Sequence, residues 1–233
     1  VVFIITERKH KSPFVPFTLF SIRYYSATTV FSLIQMAINF AIVLLVSLFL
    51  QEVTGLGAAQ TGLIVGSLSL ARFFFDPISG RVAELYGVRR PSLIGIVILT
   101  GVGVFFAIGL TSNTPLSLIF VGLFLSGIGL SLGRTPTNTA ISHLVPAEYL
   151  GIGLGVFSMC TFVGGALGQT VFGTLLRNVS GAGSGSLSAV PSPDLSQAFT
   201  VNFVTLAGLM VVAGIVGLRM PKRREMNLQK LST

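Results

Sequence analysis

The sequence predicts an all-α, polytopic membrane protein: six transmembrane helices arranged as two three-helix repeats, inverted relative to each other. Three observations carry this prediction. First, hydrophobic residues make up 52% of the 233 residues and charged residues only 9%, with a mean hydropathy of +0.86. A soluble domain carries about 25% charged residues, and a core this large would leave too little polar surface to cover it. Second, six apolar runs are long enough to cross a bilayer and lack the period-2 alternation of barrel strands. Lipid offers no partner for a backbone N–H or C=O, so such runs must be helices. Third, the polar residues inside these runs recur in the same role every three helices.

The chain opens with Val1-Val2-Phe3-Ile4-Ile5 and then turns charged. This stretch is too short for a signal peptide, and it precedes its basic cluster instead of following it. It reads as the tail of an earlier span, which makes the sequence a fragment or a gene that begins late. Residues 1–18 are thus expected to hold the end of that span and a cytoplasmic basic segment. Residues 19–220 form a six-helix bundle, and 221–233 a basic cytoplasmic tail.

The first span runs from about Tyr25 to Leu50. Within it Ser32, Gln35 and Asn39 follow in steps of three and four, so they share one face. The second covers Thr61–Ser79 and carries Arg72 and Asp76, an intramembrane charge pair at the i,i+4 spacing. Pairing lowers the cost of both charges in lipid. Either Arg72 lies on a substrate or ion pathway, or the pair is structural and Arg72 snorkels to the interface. The third span, Pro91–Leu110, is almost wholly apolar apart from Thr100.

The fourth span starts near Leu116. Its apolar part ends near Leu132, yet the next helix-breaking cluster comes only at Val145-Pro146-Ala147-Glu148. The stretch Gly133–Thr139 reads as a continued helix, bent at Pro136, whose polar half lines a water-filled vestibule. As exposed loop it would make Arg134 one more anchoring charge. On the helix, Ser131, Arg134, Asn138 and Ser142 share a face. The fifth span, about Leu150–Leu176, has Ser158, Thr161 and Gln169 among many glycines. Gly151/Gly155 and Gly164/Gly168 are small-xxx-small pairs that let helices approach closely. The sixth, Ala198–Leu218, has only Asn202 and Thr205.

Between the second and third spans lies the eleven-residue loop Gly80–Arg90, with three arginines and one acid. A short basic turn between two membrane-length runs faces the cytoplasm. Arg8, Lys9, Lys11, Arg23, Arg219, Lys222, Arg223, Arg224 and Lys230 fall on the same side, and only Arg177 is clear on the other. Both termini of this segment are therefore expected at the cytoplasmic face of the cell membrane. The Gln51–Gln60, Thr111–Pro115 and Asn178–Gln197 connections are expected outside.

Polar groups in lipid cost free energy, so they usually face a cavity or another helix. Helices one and four thus line something wet, and helices three and six face lipid. This is the pattern of inverted repeats in secondary transporters. Gln35, Asn39, Arg134 and Asn138 are the substrate-cavity candidates. The plainer alternative is that these stripes bond neighbouring helices. An arginine costs at least about 2.5 kcal/mol at mid-helix, which favours the cavity for Arg134.

Several function classes are disfavoured. The net charge of +8 sits in juxtamembrane clusters, which indicates anchoring to the lipid bilayer and no nucleic-acid partner. Cys160, His10 and His143 are the only cysteine and histidines, too few for a metal site. There is no P-loop for ATP and no other cofactor signature. No paired carboxylates or nucleophile–base set appears in the spans, so an enzyme is not expected.

The segment Gly80-Arg81-Val82-Ala83-Glu84-Leu85-Tyr86-Gly87-Val88-Arg89 resembles the G-x-L-a-D-R-x-G-R-K signature of the major facilitator superfamily. Gly80, Gly87 and Arg89 match; Glu84 stands where the signature has Asp, and Leu85 where it has Arg. Further landmarks are Leu19-Phe20 with Arg23, Phe49-Leu50-Gln51 followed by Gly55 and Gly62-Leu63, Val145-Pro146-Ala147-Glu148 followed by Gly151, and Gly164-Gly165-Ala166-Leu167-Gly168. Over nearly the whole chain, the set resembles the C-terminal half of the fourteen-helix drug:proton antiporters.

The resemblance implies one half of a major facilitator fold, preceded by a linker helix that Val1–Thr6 would end. It implies proton-coupled efflux of amphipathic small molecules by alternating access. It implies that Gly80, Glu84, Gly87 and Arg89 belong to a cytoplasmic gate that latches two bundles; Leu85 leaves the latch one arginine short. The family's proton-carrying acids lie in the other half. The partners implied are protons, a small-molecule substrate, and an N-terminal six- or eight-helix half or a second copy. The alternative is a non-transporting, half-size or fragmentary membrane protein that acts only as an assembly partner.

Overall fold

The computed structural model describes residues 24–110, 114–182, 187, 190 and 192–221. The predicted N-terminal segment, with Leu19, Phe20 and Arg23, and the basic tail past residue 221 lie outside the described residues. Six long helices occur among those described, and no strand. They are α1 (Tyr25–Leu48, prolonged by a π-helical turn at Phe49–Val53), α2 (Ala58–Tyr86), α3 (Arg89–Gly109), α4 (Leu116–Leu144), α5 (Leu150–Val179) and α6 (Ser192–Gly217). A 3₁₀ turn, Ala147–Tyr149, leads into α5. Each of the six is long and apolar enough to cross a membrane, so the chain is a multi-pass membrane protein.

The packing partners reveal the repeat. α1 lies along α5, and α4 lies along α2. The first helix of each three-helix unit thus packs on the second helix of the other. The third helices, α3 and α6, pack together, and α1 crosses α4. Two units related by a pseudo-two-fold axis in the membrane plane produce this exchange.

Lipid supplies no hydrophobic force between helices, so close van der Waals fit and interhelical hydrogen bonds must hold them together. Glycine makes the fit. A Cβ at Gly164 or Gly168 of α5 would run into the α1 backbone at Leu33 and Ala37. A Cβ at Gly127 of α4 would lie 2.5 Å from the Leu68 carbonyl oxygen of α2. Gly95 of α3 and Gly129 of α4 face each other's carbonyls. Hydrogen bonds follow the same seams: Ser79 Oγ donates to Ser131 O at 2.8 Å between α2 and α4. Tyr25 Oη donates to Gly153 O at 2.8 Å between α1 and α5. At the end away from Arg81, Arg89, Arg90 and Arg219, Phe49 meets Phe199 edge-on at 5.5 Å, and Phe106 meets Phe203 at 5.5 Å. These rings pack α1, α3 and α6 together.

The fourth span behaves as expected: α4 continues through Gly133–Thr139 with Pro136 inside it. The eleven-residue loop does not. Gly80–Tyr86 form the last two turns of α2, Arg89 and Arg90 open α3, and only Gly87-Val88 turn the chain. The expected end at Ser79 reflects where apolar character stops. A helix stops where its backbone hydrogen bonds do, and Arg81, Ala83, Glu84 and Leu85 all favour helix in water. Gly87 ends it with φ +81° while its N–H still donates to Ala83 O at 2.9 Å; a side chain rarely tolerates that φ. The connection expected over Asn178–Gln197 is likewise shorter, since α5 reaches Val179 and α6 begins at Ser192.

Exposure also differs from expectation. α3 and α6 do present apolar residues outward, such as Val97, Ile108, Val204 and Ile215. Yet α2 and α5 are the least covered helices, with 22% and 28% of their most apolar stretch buried, against 39–56% for the other four. Leu63 and Phe73 on α2, and Met159 and Phe162 on α5, all stand exposed. The low polarity of α3 and α6 marked them as lipid-facing, but exposure depends on how many neighbours a helix has.

Candidate substrate cleft

Three of the four cavity candidates meet. Gln35 and Asn39 of α1 and Arg134 of α4 line one cleft with Ser32, Met36, Arg72, Leu130 and Thr161. Gln35 lies ten residues from the start of α1, and Arg134 ten from the end of α4. At 1.5 Å per residue both sit about 15 Å in from the same end of the bundle. Arg72 is fourteen residues from either end of α2, about 21 Å. The cleft thus lies within the middle third of α2 and α4, towards the basic end of α4.

Local geometry explains how the cleft forms. α1 crosses α4 at Gly133, where a Cβ would collide with the Gln35 carboxamide. Gln35 Nε2 then donates to Leu130 O at 3.2 Å, and Gln35 Oε1 stays buried without a partner. Gln35 therefore does both things the sequence allowed: it bonds a neighbouring helix and faces the cleft. One turn on, Asn39 Nδ2 reaches only the soft Sδ of Met36 at 4.0 Å, and its buried Oδ1 has no partner. Thr161 of α5 donates to Phe157 O at 2.7 Å and touches Ser32 Oγ at 3.4 Å, closing the α1–α5 side.

The predicted Arg72–Asp76 charge pair does not form an ion pair. Asp76 Oδ1 instead accepts from Thr135 Oγ1 of α4 at 3.3 Å. Arg72 lines the cleft, and its Nε is buried with no hydrogen-bond partner. Spacing of i,i+4 makes a pair available; the neighbouring helix decides whether it is used. Here α4 offers a hydroxyl to the acid, and α1, α2 and α4 converge around the arginine. Asn138 is the other departure: it is exposed, one turn nearer the basic end, and outside the cleft.

The segment Gly80–Arg89 lies at the basic end. A Cβ at Gly80 would meet the Thr135 methyl group at 3.6 Å, which lets α2 and α4 stay close there. Glu84 is exposed on the last turns of α2, and Arg89 is half-buried at the start of α3. Leu85, at the signature's arginine position, is 58% exposed.

The sequence leaves Arg72 between a substrate pathway and a structural pair, and the structure puts it on the cleft. Ser32 is legible on the face of Gln35 and Asn39 but is not among the cavity candidates. Thr161 stands out only as a polar residue of the fifth span, because nothing local shows which helix it meets.

Comparison with known proteins places the chain. The family model described as Major Facilitator Superfamily matches residues 27–232. Multidrug resistance protein Stp of Mycobacterium tuberculosis is 31% identical over 197 residues, covering 84% of this chain and 35% of that protein. Quinolone resistance protein NorB of Staphylococcus aureus is 28% identical over 185 residues, covering 77% and 39%. The uncharacterized MFS-type transporter YhcA of Bacillus subtilis is 25% identical over 178 residues, covering 76% and 33%. The chain spans about a third of the length of the first of these relatives.

Proposed function

The chain belongs to the major facilitator superfamily, and from that premise we propose that it supplies the C-terminal six-helix bundle of a drug-efflux transporter. The observation that carries this reading is the cleft where Gln35, Asn39, Arg72 and Arg134 converge from three helices. Secondary transporters bind cargo near the bilayer midplane, where two bundles meet. One bundle supplies one wall. The second wall comes from an N-terminal half, in the same chain or a separate one, or from a second copy. The scant coverage of α2 and α5 fits helices awaiting that partner.

Arg81, Arg89, Arg90 and Arg219 cluster at one end of the bundle, which orients that end to the cytoplasm of a cell-membrane protein. Rocking of the two bundles exposes the cleft to either side in turn. Glu84 and Arg89 engage the partner at the cytoplasmic end and gate that motion. Protons drive the cycle through acids of the partner bundle. The names of Stp and NorB, multidrug and quinolone resistance, support amphipathic drugs as cargo.

Efflux of a fluorescent drug from proteoliposomes, driven by an imposed pH gradient, tests the reading on the complete two-bundle transporter. Arg134→Ala is expected to lower efflux strongly while the protein is still made and inserted. Unchanged efflux would remove Arg134 from the cleft's function. Transport by residues 1–233 alone, shown to be monomeric, would overturn the two-bundle scheme.

A further inference from the structure

We propose that the cleft between α1, α2 and α4 is a carboxylate site, in which Arg72 and Arg134 share one carboxylate group. The proposal rests on the transporter reading for the origin of that group, but not for the site itself.

Both guanidinium groups line the same cleft, and neither makes an ion pair among the described residues. The acid nearest in sequence, Asp76, is held by Thr135 and does not line the cleft. Each arginine costs at least about 2.5 kcal/mol at mid-helix, and two like charges in one cleft repel each other as well. Asp76, one turn along α2, offsets part of the Arg72 charge without forming an ion pair. An anion in the cleft would compensate both arginines.

The donor set narrows its chemistry. Guanidinium forks match the planar geometry of a carboxylate, with two parallel N–H···O bonds per fork. The sequestered Nε of Arg72 is one donor still to be used. Gln35 Oε1 and Asn39 Oδ1 are buried acceptors without partners, so a hydroxyl or amine next to the carboxylate would satisfy them. Met36 and Leu130 complete the lining with apolar surface. These donors and acceptors match the carboxylate of an amphipathic molecule with a neighbouring hydrogen-bond donor. The free space among them is only about 10 Å³, so the group enters by its tip and the rest of the molecule lies outside the cleft. A carboxylate can come from two sources: the cargo, or a Glu or Asp side chain of the partner bundle.

Benzoate and uncharged benzamide serve as probes on the complete transporter in nanodiscs, with thermal stability and binding as readouts. If the cargo brings the group, benzoate raises Tm and benzamide does not. The effect is then lost in Arg72→Gln/Arg134→Gln. In the Lys/Lys variant, which keeps both charges but loses the forks, benzoate binds at least about tenfold more weakly. If the partner bundle brings the group, benzoate has no effect on wild type. The Gln variants are then less stable than wild type, and the Lys variants fall between. The proposal is overturned if benzoate has no effect and the Gln variants are as stable as wild type or more so, as removal of two uncompensated charges would make them. A wild type that binds benzoate but carries no drug would end the transporter reading and leave the site standing.

Discussion

Gly133 shows how much one missing methyl group decides. The Gln35 carboxamide occupies the space a Cβ would take, and so reaches Leu130 O across the α1–α4 crossing. Gly133→Ala is expected to expel that amide and to cost about 1–3 kcal/mol by overpacking, read as a lower Tm of the purified transporter. Adding Gln35→Ala should recover part of the loss, because the two changes share one space and are not additive. A double variant no better than the sum of the singles would refute the contact. In the sequence Gly133 is one glycine among 27, and nothing around it announces that it faces an amide 98 positions away. Gln35 itself was legible, since a polar residue on an apolar helix advertises a contact. Its two simultaneous roles were not.

Helix α5 makes the same point at the scale of an element. Its two small-xxx-small pairs look alike in sequence. Gly164 and Gly168 press on the α1 backbone, whereas nothing lies within 4 Å of a Cβ placed at Gly151 or Gly155. Alanine should therefore act with opposite signs. Gly164→Ala or Gly168→Ala pushes α1 away and lowers stability. Gly151→Ala or Gly155→Ala reduces backbone entropy in the unfolded chain and raises helix stability by up to about 1 kcal/mol. Thermal unfolding in detergent checks the contrast, and equal effects at the two pairs would contradict it. Helices existed and ended roughly where apolar runs predicted, except for the end of α2 and the start of α6. In α2 the two turns past Ser79 stay helical because good helix formers continue to Tyr86.

At the scale of the whole molecule, the charged segment around Gly87 changes meaning. As a free loop it could bend to meet a partner. As the rigid end of α2 joined to α3 by two residues, it transmits any tilt of those helices directly. Glu84→Gln and Arg89→Gln are therefore expected to reduce efflux severalfold with little change in Tm. Glu84 is exposed, and Arg89 makes no ion pair among the described residues. A large drop in Tm with proportionate loss of efflux would point to folding instead of gating. Gly87→Val tests the joint itself: forcing a β-branched residue to φ +81° costs about 1–3 kcal/mol. It should impair insertion or stability ahead of efflux.

The sequence by itself determined the class, the number of spans, their approximate limits and the continuation of α4 past Pro136. Those properties follow from the bilayer acting as solvent: it demands length, apolarity and paired backbone, and each can be read along one stretch of chain. Only the tertiary structure decided that Arg72 lines the cleft without an ion pair to Asp76 and that Asn138 stays out of it. It also decided that α2 and α5, not α3 and α6, have the least cover. Those outcomes depend on which helices cross at which depth. That is a relation between residues tens of positions apart, settled by glycine contacts and single hydrogen bonds that leave no periodic trace in the chain.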